Sequence, residues 1–260
     1  MLLKEMLILL SQSEELSRIR ALGLTAAHRC YRLGSKGKLL RAGAGGLRGG
    51  LMAVDDRGFD GFGDPSAMVQ QLLRECAGHN FGGLVCLFSA SSPVLARLIA
   101  SLDCAAARRG LSLYVPEAYG SQCRHARVMI SSALSGGSLR LRLEECSRRF
   151  GAPERIALLL EPVAEQFILP APTGSGRALN RQELDTCIRR HAGDTFFSEE
   201  LCARYFTYMS GENGGARFVL YDDGITVRKK LLLARQLGIS RALGEWDALK
   251  DMLPEIIAKA

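Results

Sequence analysis

The stretch GLMAVDDRGFDGFGDPSAMVQQLLRECAGHNFGGLVCLFSASSPVLARLIASLDCAAARRG, residues 50–110, gives one start signal twice. Gly50 to Asp55 reads as a buried strand. Asp64 then offers a side-chain oxygen to the free amides of a helix, and Pro65 fills the first helical position, where no amide is needed. That helix is expected to run to about His79. Leu84 to Ser89 is the next short apolar run. Ser92-Pro93 opens a second helix, with Leu95, Leu98, Ile99 and Leu102 on one face, and Gly110 stops it.

The same rhythm continues down the chain. Leu113 to Glu117 and Arg127 to Ser132 are strands, and Ser138 caps a helix, amphipathic through Leu139, Leu141 and Leu143, that ends at Gly151. Ile156 to Glu161 is an unbroken apolar run of the kind buried on both faces of a parallel sheet. Tyr205 to Met209 and Ala216 to Tyr221 flank Ser210-Gly211-Glu212-Asn213-Gly214-Gly215, a hairpin signal. Asp223 opens a helix through Lys230, Leu232 and Ala234 to Gly238, and Ile239 to Trp246 forms the last strand. So many strands alternating with helices predict a parallel sheet closed into a TIM-type (β/α)8 barrel with a hairpin insertion near residues 205–221. An open doubly wound sheet is the alternative, but no G-x-G-x-x-G follows a strand.

The beginning of the chain is harder to read. Met1 to Leu10 resembles a signal sequence, but Lys4 and Glu5 interrupt it and no small-residue cleavage site precedes Glu14 and Glu15, so it reads as an amphipathic helix. Residues 1–49 are therefore expected to hold that helix and poorly defined first strands, and residues 50–246 the best-defined part of one domain spanning residues 1–260. Gly43 to Gly50 is the one flexible candidate, and it lies too early to separate two folds.

Composition narrows the function. A chain of 260 residues, 47% hydrophobic and 23% charged, fits one soluble barrel. Arg and Lys punctuate every apolar segment, so none reaches the roughly 18 residues of a spanning helix and no membrane contact is expected. The net charge of +7 is spread along the chain and no RNA-reading aromatic signature accompanies it, which points to a basic solvated surface and away from nucleic acid. Eight scattered cysteines with no C-x-x-C read as free buried thiols of a reducing compartment, hence a cytoplasmic location. His28, His79, His125 and His191 are well separated, so neither a metal nor a Ser-His-Asp triad is expected, nor any cofactor. Ser135-Gly136-Gly137-Ser138 could hold an anion on helix amides, but without a Walker lysine it reads as a tight turn.

The run Phe218-Val219-Leu220-Tyr221-Asp222-Asp223-Gly224-Ile225, the lysine-bearing helix after it and Leu243-Gly244-Glu245-Trp246 resemble the end of a glycoside hydrolase family 18 domain. The family includes chitinases and spore peptidoglycan hydrolases. The resemblance covers Gly50 to Trp246 and implies a barrel whose catalytic strand reads roughly F-D-G-I-x-x-D-x-E. Its last glutamate protonates the glycosidic oxygen, and the preceding aspartate positions the substrate's own acetamido group. The matching run here is Phe81-Gly82-Gly83-Leu84-Val85-Cys86-Leu87-Phe88-Ser89, with every carboxylate gone. A serine hydroxyl is too weak an acid for that proton transfer, so a rate contribution on the order of 10² to 10⁴ is lost. The family's M-x-Y-D matches Met129-Ile130-Ser131-Ser132, which keeps the methionine and loses both polar partners.

Functional residues of such barrels sit at the C-terminal ends of the strands. Here these are Asp55, Asp56, Ser89, Glu117, Ser131, Ser132, Glu161, Asp222, Asp223, Glu245 and Trp246. The resemblance places Trp246 on the floor of a sugar site; as a bare sequence feature it is equally a core plug. Glu117 and Glu161 each follow an apolar strand and are either relocated acids or loop carboxylates paired with arginine. Asp223 reads as an N-cap and Asp222 as a turn residue. The expectation is a non-hydrolytic barrel binding a glycan, containing N-acetylglucosamine or peptidoglycan-like, or a protein partner, through Trp246, Glu245, Ser89, Met129, Ser132 and Tyr119. One alternative is an active glycoside hydrolase using Glu117 and Glu161. Another is a scaffold protein of a spore-forming bacterium.

Overall fold

The computed structural model describes residues 3–12, 15–42, 48–170, 176–209 and 215–258. The hairpin turn expected at 210–214, residues 43–47 of the glycine-rich stretch, Met1, Leu2 and Glu14 lie outside the described residues. Eight parallel strands close on themselves: β1 (Leu7–Ser11), β2 (Thr25–Leu33), β4 (Leu51–Asp55), β5 (Gly83–Leu87), β6 (Ser112–Pro116), β7 (Arg127–Ser131), β8 (Ile156–Leu160) and β14 (Ala242–Glu245), which pairs back onto β1. This is a TIM-type (β/α)8 barrel. The short β3 (Leu39–Arg41) lies antiparallel on β2.

Strand alternation divides the core into two layers. Ile8, Leu10, Ala27, Leu51, Ala53, Val85, Tyr114, Met129, Ala157 and Leu243 fill the barrel interior. Their strand neighbours Leu7, Leu9, Met52, Val54, Leu84, Cys86, Leu113, Val115, Val128, Ile130, Ile156 and Leu158 pack outward under the helices. Residues 7–10 are thus a strand and not the expected helix, because all four are buried, two on each face. The charges that suggested an amphipathic helix fall in the single turn α1 (Leu3–Met6) before it. On β2, an arginine or histidine interrupts each apolar pair, which hides the strand from a hydrophobicity reading. The helix α2 (Leu16–Ala21) joins β1 to β2.

The start signals act as expected. Asp64 accepts from the amides of Ser66 (3.0 Å) and Ala67 (3.3 Å) to open α3 (Pro65–Gly78), and Ser92 accepts from Val94 (3.2 Å) to open α4 (Pro93–Arg108). Ser138 caps α5 (Leu139–Phe150), which ends at Gly151 with φ +104°, a left-handed value that suits glycine. Leu139 and Leu143 are buried on one face, but Leu141 is 63% exposed, since a residue two positions on points to the far side of the helix. No α-helix joins β6 to β7. A 3-10 turn over Glu117–Gln122 does so, and its exit is clamped by the carboxylate of Asp103, which accepts from the amides of Arg124 (2.8 Å) and Ala126 (2.6 Å).

The hairpin expected near residues 205–221 is the middle of a larger insertion. A five-stranded antiparallel sheet has the order β10 (Arg177–Ala178), β9 (Ala164–Leu169), β13 (Ala216–Tyr221), β12 (Ala203–Met209) and β11 (Phe196–Ser198), with α6 (Arg181–His191) packed on one face. It leaves the mouth end of β8 and returns to α7 (Gly224–Gln236), which Asp223 caps through Thr226 (2.8 Å). Asp222 is not the turn residue expected. It is buried and takes three bonds, from the ammonium of Lys230 (2.6 Å), the amide of Val163 (2.8 Å) and the hydroxyl of Thr226 (2.8 Å). Lys230 also donates to the carbonyl of Ser132 (3.1 Å), so one buried ion pair pins α7, the root of the inserted sheet and the end of β7 together. The final strand stops at Glu245, and Trp246 begins α8 (Trp246–Leu249), followed by α9 (Leu253–Ile257).

Candidate functional site

The C-terminal ends of the eight strands form the barrel mouth. The run matched to the family's catalytic strand is β5, fourth around the barrel, with Leu87 on an inward position and Ser89 exposed just past the strand's end. Leu87 and Leu159, part-buried, pack against the cluster that fills the barrel interior, so the floor of the mouth is apolar. Ser89 carries no available acid. Its amide and hydroxyl both donate to the buried carboxylate of Asp56, the hydroxyl at 3.1 Å, and the amide of Ala90 joins them at 2.7 Å. Asp56 thereby ties the end of β4 to the loop after β5, and its oxygens are spent on that loop.

The other predicted residues divide into those at the mouth and those behind it. Glu161 and Glu245 follow Leu160 and Gly244, which pair in register, so the two carboxylates stand on adjacent strands whose backbones are roughly 5 Å apart. Ser131 donates its hydroxyl to Glu161. Glu245 is held by Arg29 at 2.8 Å. Burial raises the proton affinity of Glu245 above the ordinary carboxylate range, Arg29 lowers it, and the neighbouring charges of Asp247 and Glu161 add to the rise.

Glu117 does not face Glu161. It falls in the outward phase of β6 with Leu113 and Val115, and its carboxylate accepts from Arg142 (2.6 Å) and pairs with Arg149 (3.5 Å) on α5. The expected alternative of a Glu117/Glu161 catalytic pair is therefore corrected: the two side chains lie on opposite sides of the barrel wall. Ser132 is 1% exposed, its hydroxyl accepting from the amide of Glu161 at 3.1 Å, which makes it a strap between strands. Tyr119 is buried edge-on to Phe88, and its hydroxyl donates to the carbonyl of Ala90. Trp246 belongs to the outer layer between barrel wall and helices, 6% exposed, with its indole N–H unpartnered among the described residues. That placement follows from alternation: Leu243 and Glu245 point in, so Trp246 points out. The stacking role expected of it gives way to the core role. Met129 lies under the mouth, inside the barrel.

Two groups at this end escaped the sequence reading. Arg29, Arg32 and Arg57 gather with Gln12 and Asp55 around a cavity of about 200 Å³. On the inserted sheet, the face away from α6 carries four rings in a row, Phe167, Phe218, Tyr205 and Phe196, with successive centroids 5.8, 5.4 and 5.5 Å apart. Exposure grows along the row, from buried Phe167 to Phe196 at 52%. Each of four strands contributes one ring, so no single run of sequence announces the row. Among the described residues, no group of three or more His, Cys, Asp or Glu is placed to hold a metal ion, and no helix is long and apolar enough to cross a membrane.

The fold is similar to that of solved chitinases and of a spore cortex-lytic enzyme, TIM-type barrels that include a GH18 chitinase. A chitinase from Chromobacterium violaceum superposes with a TM-score of 0.67 at 16% identity, covering 98% of this chain and 100% of that one. The spore cortex-lytic enzyme SleL of Bacillus megaterium gives 0.64 at 12% identity, over 98% of this chain and 74% of that one. The GH18 chitinase of Cycas revoluta, solved in complex with (GlcNAc)4, gives 0.60 at 14%, over 96% of this chain and 97% of that one. At these identities the likeness is one of fold. No protein-family model matches the sequence, and no curated protein matches it.

Proposed function

We propose that this chain is a non-hydrolytic glycoside hydrolase family 18-like barrel that binds a glycan at its mouth, of the kind built from N-acetylglucosamine or found in peptidoglycan. The observation that carries the proposal is the pair Leu87 and Ser89. An apolar chain and a hydroxyl already committed to Asp56 occupy the positions where the family resemblance calls for acids. Hydrolysis without a general acid loses that proton-transfer contribution, while an apolar floor bordered by Glu161, Glu245 and Arg29 still suits the mixed polar and apolar surface of a sugar. The row of part-exposed aromatic rings on the inserted sheet supports the same ligand class. The free cysteines, six of them buried, fit a reducing compartment and so a cytoplasmic setting.

The test is incubation of the purified chain with chitin oligomers and peptidoglycan fragments, with products separated by mass. No release above buffer is expected from wild type. Robust release that disappears in Glu245→Gln or Glu161→Gln overturns the proposal and makes the adjacent carboxylates an acid/base pair.

A further inference from the structure

The arginine cavity at the edge of the mouth owes its shape to one irregularity in β2. Arg29 pairs with Ala53 and Tyr31 with Val54, so Cys30 is an extra residue, a β-bulge. In a regular strand, positions 29 and 32 lie on opposite faces. The bulge instead sets Arg29 beside Ala53 and Arg32 beside Asp55, both on the inward phase, so two guanidiniums from one strand reach the same cavity. Arg57 supplies the third from the loop after β4 and holds the buried carboxylate of Asp55 through Nε (2.9 Å) and Nη2 (2.6 Å).

The charges here do not balance. Asp55 answers Arg57, and Glu245 answers Arg29. Arg32 has no ion-pair or hydrogen-bond partner for its side chain among the described residues, so the cavity keeps a positive excess. Its volume of about 200 Å³ equals roughly seven waters at ~30 Å³ each, room for one small charged group and the atoms carrying it. Guanidinium forks match carboxylates and phosphates in a bidentate way that a neutral hydroxyl cannot.

We propose that this cavity holds an anionic group, a carboxylate or a phosphate, of the bound glycan, and that the mouth therefore prefers acidic sugar chains to neutral ones. The proposal rests on the glycan-binding reading of the mouth. It is tested by calorimetric titration of wild type, Arg32→Gln and Arg32→Lys with four probes. These are tetra-N-acetylchitotetraose, a tetrasaccharide alternating glucuronate and N-acetylglucosamine, N-acetylglucosamine 1-phosphate, and inorganic phosphate. Arg32 is exposed, so its replacement leaves the fold intact. The carboxylated tetrasaccharide is expected to bind about tenfold tighter than the neutral one, a margin worth one charge-assisted hydrogen bond. Arg32→Gln removes that margin, Arg32→Lys restores part of it, and raised salt shrinks it. The phosphate-bearing sugar tells which anion is favoured. Equal affinity for neutral and acidic chains overturns this inference and leaves glycan binding standing. Failure of every glycan probe overturns the mouth reading, and this inference with it, even where inorganic phosphate alone still binds.

Discussion

From β5 round to β8 the strand ends at the mouth carry Leu87, Ser89, Ser131 and Ser132, and most of their polar atoms are used in holding the protein together. From β14 round to β4 they carry Glu245, Arg29 and Arg32, half-buried or solvated, with the buried Asp55, and these charges are only partly neutralised. On the first side Asp56, which reaches across from the end of β4, and the Asp222–Lys230 pair spend their bonds on loop amides and strand ends. On the second, a bulge turns two arginines into one cavity. The contrast teaches that a barrel can turn the strand ends of one arc into structure while keeping charge for ligands on the opposite arc. Substitutions on the first arc then cost stability, and substitutions on the second cost binding.

The largest effect is expected from the buried ion pair. Lys230→Met leaves Asp222 charged in a site from which water is excluded, and Asp222→Ala strands the ammonium; either loses about 3–5 kcal/mol in urea unfolding. Next comes a pH effect on β2. His28 lies buried against Phe81 with Nε2 on the carbonyl of Gly49 at 2.9 Å, and desolvation pushes its pKa from 6.5 down to about 4. Between those values the unfolded chain holds more protons, so stability falls as pH drops from about 6.5 toward 4, by roughly 3 kcal/mol in all. His28→Asn flattens that slope between pH 7 and 4.5. Smaller again, Asp56→Ala orphans the Ser89 and Ala90 amides and costs about 2 kcal/mol, with no loss of glycan affinity if the division between the two arcs holds.

How much of this was legible depended on where charge sat in each element. The units at residues 50–110 declare themselves because Asp64, Pro65, Ser92 and Pro93 are local signals whose bonding partners lie within three residues. β1 was misread because the charges of Lys4 and Glu5 stand next to it in sequence but in a different element. β2 stayed hidden because its inward positions hold Arg29 and Arg32, the same substitution of charge for hydrocarbon that makes its end of the mouth useful. The loss of acids at Leu87 and Ser89 could be read from the run itself. The outward phase of Glu117 and Trp246 could not, since it depends on where each strand ends relative to its alternation.

The smallest effect sharpens the charged arc. The carboxyl of Glu245 should titrate above the ordinary value of about 4.3 in carbon-detected NMR. Arg29→Gln should move that midpoint further up, because the guanidinium holds it down against burial. A downward movement would show that Arg29 does not face Glu245.

The central claim, binding without cleavage, is tested most directly by a ligand-observed NMR time course of tetra-N-acetylchitotetraose with the wild-type chain. Saturation transfer from protein to sugar is expected, with the reducing-end anomeric signals constant over a day. Steady growth of new anomeric signals, or no transfer at all, would contradict it.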